Sequence, residues 1–362
     1  RPYLEGGDIT AWQRNLEISL AVRLSPRLDL DRLEKSFNWL VKRHPSLRTV
    51  YPTIDGESTV RVDDHHQLGL EICEAAEMDE AAFVDHLNQK VAEHFDVEAG
   101  PLFRLQVYRR ADDSDAILLS VHHAIIDGWG LLILLRDLFF HYFGLASQLA
   151  ELEFADFKEF ALEEAAFLKS DAADAQLDYW RRQLSNPPEP LALPYDRPRE
   201  TGPVKSAGVE FATFDAALTK RVEDLADKVG ASPFVVLMSA FKQTLAPYSS
   251  NGDIAVGVAT ANRSKPRYEN MVGMCANAFL VRDKLDPNAT LADLSRNVHA
   301  TMQDAMANQE VPMDMVFRSV FSEDSGFEPM TSRVTRADAY SQVLFSMRWP
   351  DNLEDAGFAG LY

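Results

Sequence analysis

Nine histidines stand in the sequence, and two pairs of them are adjacent. The pair His65-His66 sits in the polar stretch Asp63-Asp64-His65-His66-Gln67, with Leu70 where a helping carboxylate would stand, and reads as a solvated loop. The other pair closes an apolar run, Leu118-Leu119-Ser120-Val121-His122-His123-Ala124-Ile125-Ile126-Asp127-Gly128. Burying an imidazole costs free energy unless it is hydrogen-bonded, so two at the end of an apolar strand ask for a reason. Two readings fit. In one, a satisfied core histidine lies beside a turn aspartate. In the other, one imidazole is a general base, because its ordinary pKa of about 6.5 suits proton transfer near neutral pH; Asp127 would then orient it as in a protease triad. Side chains alternate faces along a strand, so His122 and His123 are expected on opposite sides, one in the core and one toward a solvent channel. No Gly-x-Ser-x-Gly elbow, phosphate loop or metal-ligand cluster competes with this stretch.

The elements that must position these residues are partly legible. Leu30, Leu33, Phe37 and Leu40 recur at three- and four-residue steps, which predicts a helix from about Leu30 to Arg43 with Asp29 as its cap. Strands are expected over Phe103–Tyr108 and Ala116–His123, then a helix over about Gly130–Phe143. A continuous apolar strand running into a helix points to an α/β sandwich with a covered sheet. Prolines 187, 188, 190, 194, 198 and 203 exclude helix and central strand there, so the stretch reads as a surface-crossing linker. Beyond it, Leu218, Val222, Leu225 and Val229 mark a helix closed by Gly230. Ser232-Pro233 opens the next helix. Strands are expected over Ile254–Thr260 and Ala276–Val281.

At 362 residues with 46% apolar and 25% charged side chains, the composition is that of a globular chain long enough for two cores. A formal charge of −20 argues against a scaffold held by nucleic-acid phosphates. Two cysteines, Cys73 and Cys275, are too few for a disulfide framework and suggest a reducing, cytoplasmic setting. No apolar run approaches the roughly 20 residues of a membrane helix, and Arg1-Pro2-Tyr3 shows no signal-peptide pattern. Arg14, Arg23, Arg27, Arg32, Lys35, Lys42 and Arg43 gather positive charge near the start. They read either as an attractive patch for an acidic partner or as ordinary solvated helix charges.

His122-His123-Ala124-Ile125-Ile126-Asp127-Gly128-Trp129 resembles the His-His-x-x-x-Asp-Gly signature of condensation domains from nonribosomal peptide synthetases, members of the chloramphenicol acetyltransferase-like superfamily. Further segments are similar in the same order: Arg43-His44-Pro45-Ser46-Leu47-Arg48-Thr49; Tyr179-Trp180-Arg181-Arg182-Gln183-Leu184; Leu193-Pro194-Tyr195-Asp196-Arg197-Pro198; and Ala261-Asn262-Arg263 followed by Val272-Gly273-Met274-Cys275-Ala276-Asn277. Val311-Pro312 and Ser341-Gln342-Val343-Leu344-Phe345 complete the set. The sequence departs from the pattern at Cys275-Ala276, where the family has bulky Phe-Val, at Ala278 for Thr, and at Gly130 for a frequent Ser. The family's aromatic-rich opener is not visible near the start, and the sequence stops at Tyr362 before the final strands, so the C-terminal lobe is expected to be incomplete.

The resemblance implies an α/β fold of two acetyltransferase-like sandwich lobes in a V, a pseudo-dimer with a central tunnel. Its expected bounds are an N-terminal lobe over 1–170, a proline-rich linker over 171–205 and a C-terminal lobe over 206–362. It implies amide-bond formation between a donor acyl thioester and an acceptor aminoacyl thioester, each on the phosphopantetheine arm of a carrier protein. No other cofactor, metal, nucleic acid or membrane is implied; the partners are the two carriers and neighbouring synthetase domains. By the residue match His123 is the active imidazole. His122 and Asp127 become structural, with Arg263 the expected partner of Asp127 and Arg282 the second choice. Gly128 N–H is a candidate oxyanion donor, and Trp129, Cys275 and Asn277 are candidate tunnel-lining residues. Ester formation or coenzyme A-dependent acyl transfer are related readings; a catalytically silent, carrier-docking domain is a different one.

Overall fold

In the computed structural model of the chain, the described residues are 17–64, 68–150, 152–196, 208, 210–321, 340, 342–347 and 358–361. The pair His65-His66, Arg14 and residues 197–205 of the expected linker lie outside them. The chain divides into two compact units, the first made of residues up to Glu164 with Arg263–Cys275 and the strand Phe358–Leu361, the second of Ala165–Asn262 and Ala276–Arg348.

In the first unit, β1 (Glu17–Leu24) leads into α1 (Leu30–Arg43), whose start is capped by Asp29 accepting from the Arg32 amide. Then follow β2 (Glu71–Glu74), α2 (Glu80–Val91), β3 (Phe103–Arg109), β4 (Asp115–His122), α3 (Gly128–Tyr142) and α4 (Phe157–Phe167). The sheet runs Phe358–Leu361, β1, β4, β3, β2, with β2 and β3 parallel and the other pairs antiparallel. Every residue of β4 is buried. One face of the strand (Ile117, Leu119, Val121) packs with Leu33, Phe37 and Leu40 of α1 and Leu131, Leu134 and Leu138 of α3. The other face (Ala116, Leu118) meets Phe83 and Leu87 of α2. Helices on both faces explain why β4 reads as continuously apolar rather than alternating.

The second unit carries α5 (Asp171–Leu184), α6 (Ala216–Val229), α7 (Pro233–Leu245), β5 (Asp253–Thr260), β6 (Asn277–Lys284), α8 (Leu291–Ala307), α9 (Met313–Val320) and β7 (Leu344–Phe345). Its sheet order is β6-β5-β7. The core joins Trp180 and Leu184 of α5 to Val235, Met238, Val256, Val258, Phe279, Val281 and Val298. Helix α5 therefore belongs to the packing of this unit, which corrects the expected linker over 171–205 at its N-terminal end. Buried Trp180, whose indole donates to Asn308 O at 2.7 Å, ties it there. Residues 187–195 have no helix or strand, as the four prolines 187, 188, 190 and 194 dictate. At Gly230, φ is +71°, the left-handed cap geometry that favours glycine after α6.

One excursion matters for function. After β5 and residues 261–262 of the second unit, residues 263–275 are packed into the first, and the chain then returns to the second as β6.

Candidate active site

The site is built on the turn between β4 and α3. The strand ends at His122, so His123 opens the turn; strand alternation, which predicts opposite faces for the two rings, stops one residue short of deciding where His123 points. The turn is clamped from several sides. His122 is 3% exposed, and its Nδ1 accepts from the Ala124 amide at 3.1 Å. Its carbonyl accepts from Ile125 N at 3.1 Å, its own amide donates to Leu102 O at 2.8 Å, and Tyr51 donates its hydroxyl hydrogen to Ala124 O at 2.8 Å. Burial, with a smaller contribution from His123, pushes the His122 pKa down to about 4. A neutral ring keeps Nδ1 free to accept, so the low pKa and the Ala124 bond support one another. His123 is half-buried, whereas Gly128 and Trp129 are exposed.

Asp127 is the second fixed point. It is 1% exposed, and both oxygens are fully occupied. Oδ1 accepts from Gly130 N at 2.8 Å, capping α3, and from Arg263 Nη2 at 2.9 Å. Oδ2 accepts from Arg263 Nη1 at 2.8 Å and from Cys275 N at 3.0 Å. Arg263 also donates to Met271 O at 3.1 Å. Arg282 is engaged elsewhere, with Asp253 at 2.7 Å. An arginine fork and two backbone amides thus engage both oxygens of the Asp127 carboxylate.

Two residues expected to line a tunnel have well-defined contacts of their own. Cys275 is 0% exposed and packs with Ala155, Phe160, Tyr268 and Met271; its contribution is the backbone N–H given to Asp127. A thiol smaller than Phe fits this apolar cluster, which explains the departure from the family pattern locally. Asn277 donates to Gln309 O at 2.7 Å and Val311 O at 3.0 Å and accepts from Met313 N at 3.3 Å, so its amide shapes the 309–313 loop. Trp129 is 49% exposed and donates its indole N–H to Glu269 O at 2.9 Å. A Cβ at Gly128 would meet nothing within 4 Å, which leaves the first turn of α3 open to approach.

The sequence reading missed Ser46, which donates to Val272 O at 2.6 Å, and the buried pair His44 and Asp137, joined at 3.0 Å. His44 and Ser46 lie in the family-like segment 43–49, but that segment does not reveal their partners, because these bonds arise where α1, α3 and residues 263–275 meet. Three of the seven cations of the basic patch pair with acids of this chain: Arg23 with Asp112, Arg27 with Asp113, and Arg43 with buried Asp137. Among the described residues no cluster of His, Cys, Asp and Glu could hold a metal, and no helix is long and apolar enough to cross a membrane.

A family model described as the condensation domain matches residues 12–332. The chain belongs to the condensation-domain family. Malpibaldin synthetase of Mortierella alpina is 31% identical over 312 residues, covering 83% of this chain and 6% of that protein. Among solved structures, a four-domain nonribosomal peptide synthetase bound to AMP and glycine aligns with TM-score 0.78 at 19% identity, over 95% of this chain and 25% of the other. The first condensation domain of the calcium-dependent antibiotic synthetase, in complex with a substrate analogue, aligns with TM-score 0.75 at 17% identity, over 87% and 75%. These likenesses show the fold. The condensation domain spans 4–6% of the length of three of the curated relatives it matches. Condensation domains of nonribosomal peptide synthetases perform an acyl transfer, forming an amide between carrier-bound substrates.

Proposed function

We propose that this domain condenses a donor acyl or peptidyl thioester with an acceptor aminoacyl thioester, both carried on phosphopantetheine arms of carrier proteins, and that His123 is its active imidazole. The observation that carries the reading is the division of labour in the motif. His122, Asp127 and the Arg263 side chain are buried, with His122 Nδ1, both Asp127 oxygens and the Arg263 fork hydrogen-bonded, while His123 is left half-buried at a clamped turn.

The acceptor amine attacks the thioester carbonyl carbon, the C–S bond breaks, and the departing thiolate takes up a proton as the amide forms. An α-amino group has a pKa of about 7.7–8.0, so part of it is already neutral at physiological pH. General-base help is worth about 10²–10⁴-fold, whereas holding two reactants in line gives effective molarities of about 10⁵–10⁸ M. Positioning therefore dominates, with His123 accepting the amine proton or holding the nitrogen during attack. The Gly128 N–H, at the positive end of α3 and beside open space, is the donor proposed for the developing oxyanion.

The test is mass spectrometry of both carriers after mixing loaded candidates with the domain. Wild type should transfer the donor onto the acceptor, and His123→Ala should lower turnover by about 10²-fold or more with an unchanged melting temperature. Wild-type rates in that variant would remove His123 from the chemistry. A folded wild type inert with every loaded pair would favour a silent, carrier-docking domain.

A further inference from the structure

Asp127 is one of two buried carboxylates on the rim of α3. The other, Asp137, lies ten residues on, about 15 Å further along the helix axis at 1.5 Å per residue. It is fully buried and accepts four hydrogen bonds. Its Oδ2 takes Arg43 Nε and His44 Nε2, both at 3.0 Å. Its Oδ1 takes Arg136 Nε at 2.9 Å and Nη2 at 2.7 Å. Burial alone would raise the Asp137 carboxyl, yet the bonds from His44 and Arg136 and their charge hold it below the ordinary range. Arg136 spends one edge of its fork on Asp137, and its remaining Nη1 donates to Asn270 Oδ1 at 2.7 Å. Asn270 in turn donates to Glu153 O at 3.2 Å.

Asn270 sits midway along residues 263–275, the segment that brings Arg263 and the Cys275 amide to Asp127. The rest of the segment is held by Trp129 at Glu269 O and Ser46 at Val272 O. A Cβ at Gly273 would fall 2.3 Å from Phe157 Cδ2, so the backbone runs hard against that ring and tolerates little displacement. An ammonium could not reproduce both the two-point hold on Asp137 and the reach to Asn270, because only the planar guanidinium presents donors on two edges.

We infer that Arg136 is a positioning residue for the acyl transfer: braced by Asp137, it fixes Asn270 and thereby the register in which Arg263 and the Cys275 amide meet Asp127 under the His123 turn. The link to turnover rests on the function proposed above; the link to the segment does not.

The experiment compares Asn270→Ala, Asn270→Asp and Arg136→Lys with wild type. Hydrogen exchange read by mass spectrometry follows the Cys275 amide in the free domain, and the carrier-loaded assay gives kcat and KM. Asn270→Ala and Arg136→Lys should speed exchange at Cys275 about tenfold and lower kcat about tenfold, with KM for both carriers within about twofold; the melting temperature should be unchanged in Asn270→Ala and lower in Arg136→Lys, which takes a hydrogen bond from buried Asp137. Asn270→Asp, which still accepts from Arg136 but gives up the bond to Glu153 O, should lose clearly less exchange protection and kcat than Asn270→Ala. Unchanged Cys275 exchange in Asn270→Ala overturns the inference, as does an equal loss in Asn270→Asp. Faster exchange with untouched kcat removes the link to catalysis. If wild type makes no amide, the proposed function fails, and the exchange result still decides whether Arg136 positions the segment.

Discussion

Replacing Asp127 by alanine tests the structural account of the motif most directly. The substitution deletes an N-cap bond to Gly130, an acceptor for the Cys275 amide and both acceptors for the Arg263 fork. The Arg263 side chain is 3% exposed, so its charge is left stranded without water to replace the carboxylate. Removing one partner of a buried pair costs about 3–5 kcal/mol. The cap, worth about 1 kcal/mol in its own right, is contained in that range rather than added to it. Urea unfolding should show the transition midpoint fall by that energy divided by m. The double variant Asp127→Ala/Arg263→Met removes the stranded charge and should be more stable than the sum of the two single losses by about 2–3 kcal/mol. Equal midpoints for Asp127→Ala and wild type, or a strictly additive cycle, would refute the claim that this carboxylate holds residues 263–275 in place.

Other outcomes follow from the same geometry. The His122 pKa of about 4 lies below its unfolded value near 6.5, so its contribution is complete above pH 6.5 and is lost as pH falls toward 4. Unfolding free energies from urea at pH 7 and pH 5 should therefore converge in His122→Asn relative to wild type, by about 2 kcal/mol; an unaltered pH dependence would contradict the assignment. Burial likewise lowers His44, which adds a loss of the same sign as pH falls below 6.5. Asn277→Ala breaks three hydrogen bonds to the 309–313 loop and should cost about 1–3 kcal/mol, read as faster amide exchange at Met313. Asp283→Ala strands Lys242, which is fully buried against Asp283 and donates to Val281 O at 2.8 Å, and should cost about 3–5 kcal/mol in the unfolding transition.

Local rules were enough for the elements that frame the site. The Leu33, Phe37 and Leu40 stripe with Asp29 before it specified α1 to its ends, because periodicity and capping are properties of neighbouring residues. The apolar run of β4 likewise specified a strand buried on both faces. Its end was misplaced by one residue, since the turn at His123 depends on His122 Nδ1 catching the Ala124 amide. Helix α3 begins at Gly128 rather than Gly130 because Asp127 acts as its cap as well as the arginine's partner.

What the sequence by itself determined is the chemistry on offer: two imidazoles, an aspartate and a glycine at fixed spacing, in an order that marks the family. Which groups are spent on structure and which remain for reaction was decided by contacts between residues far apart in the chain. Arg263 reaches Asp127 across 136 positions, and Ser46 reaches Val272 across 226. Cys275 is packed in an apolar cluster and Asn277 is bonded to the 309–313 loop, contacts that their motif alone does not reveal. A hydrogen bond binds whichever donor and acceptor folding brings within about 3 Å, and pairings at such separation are set by packing of whole elements, which no local pattern encodes.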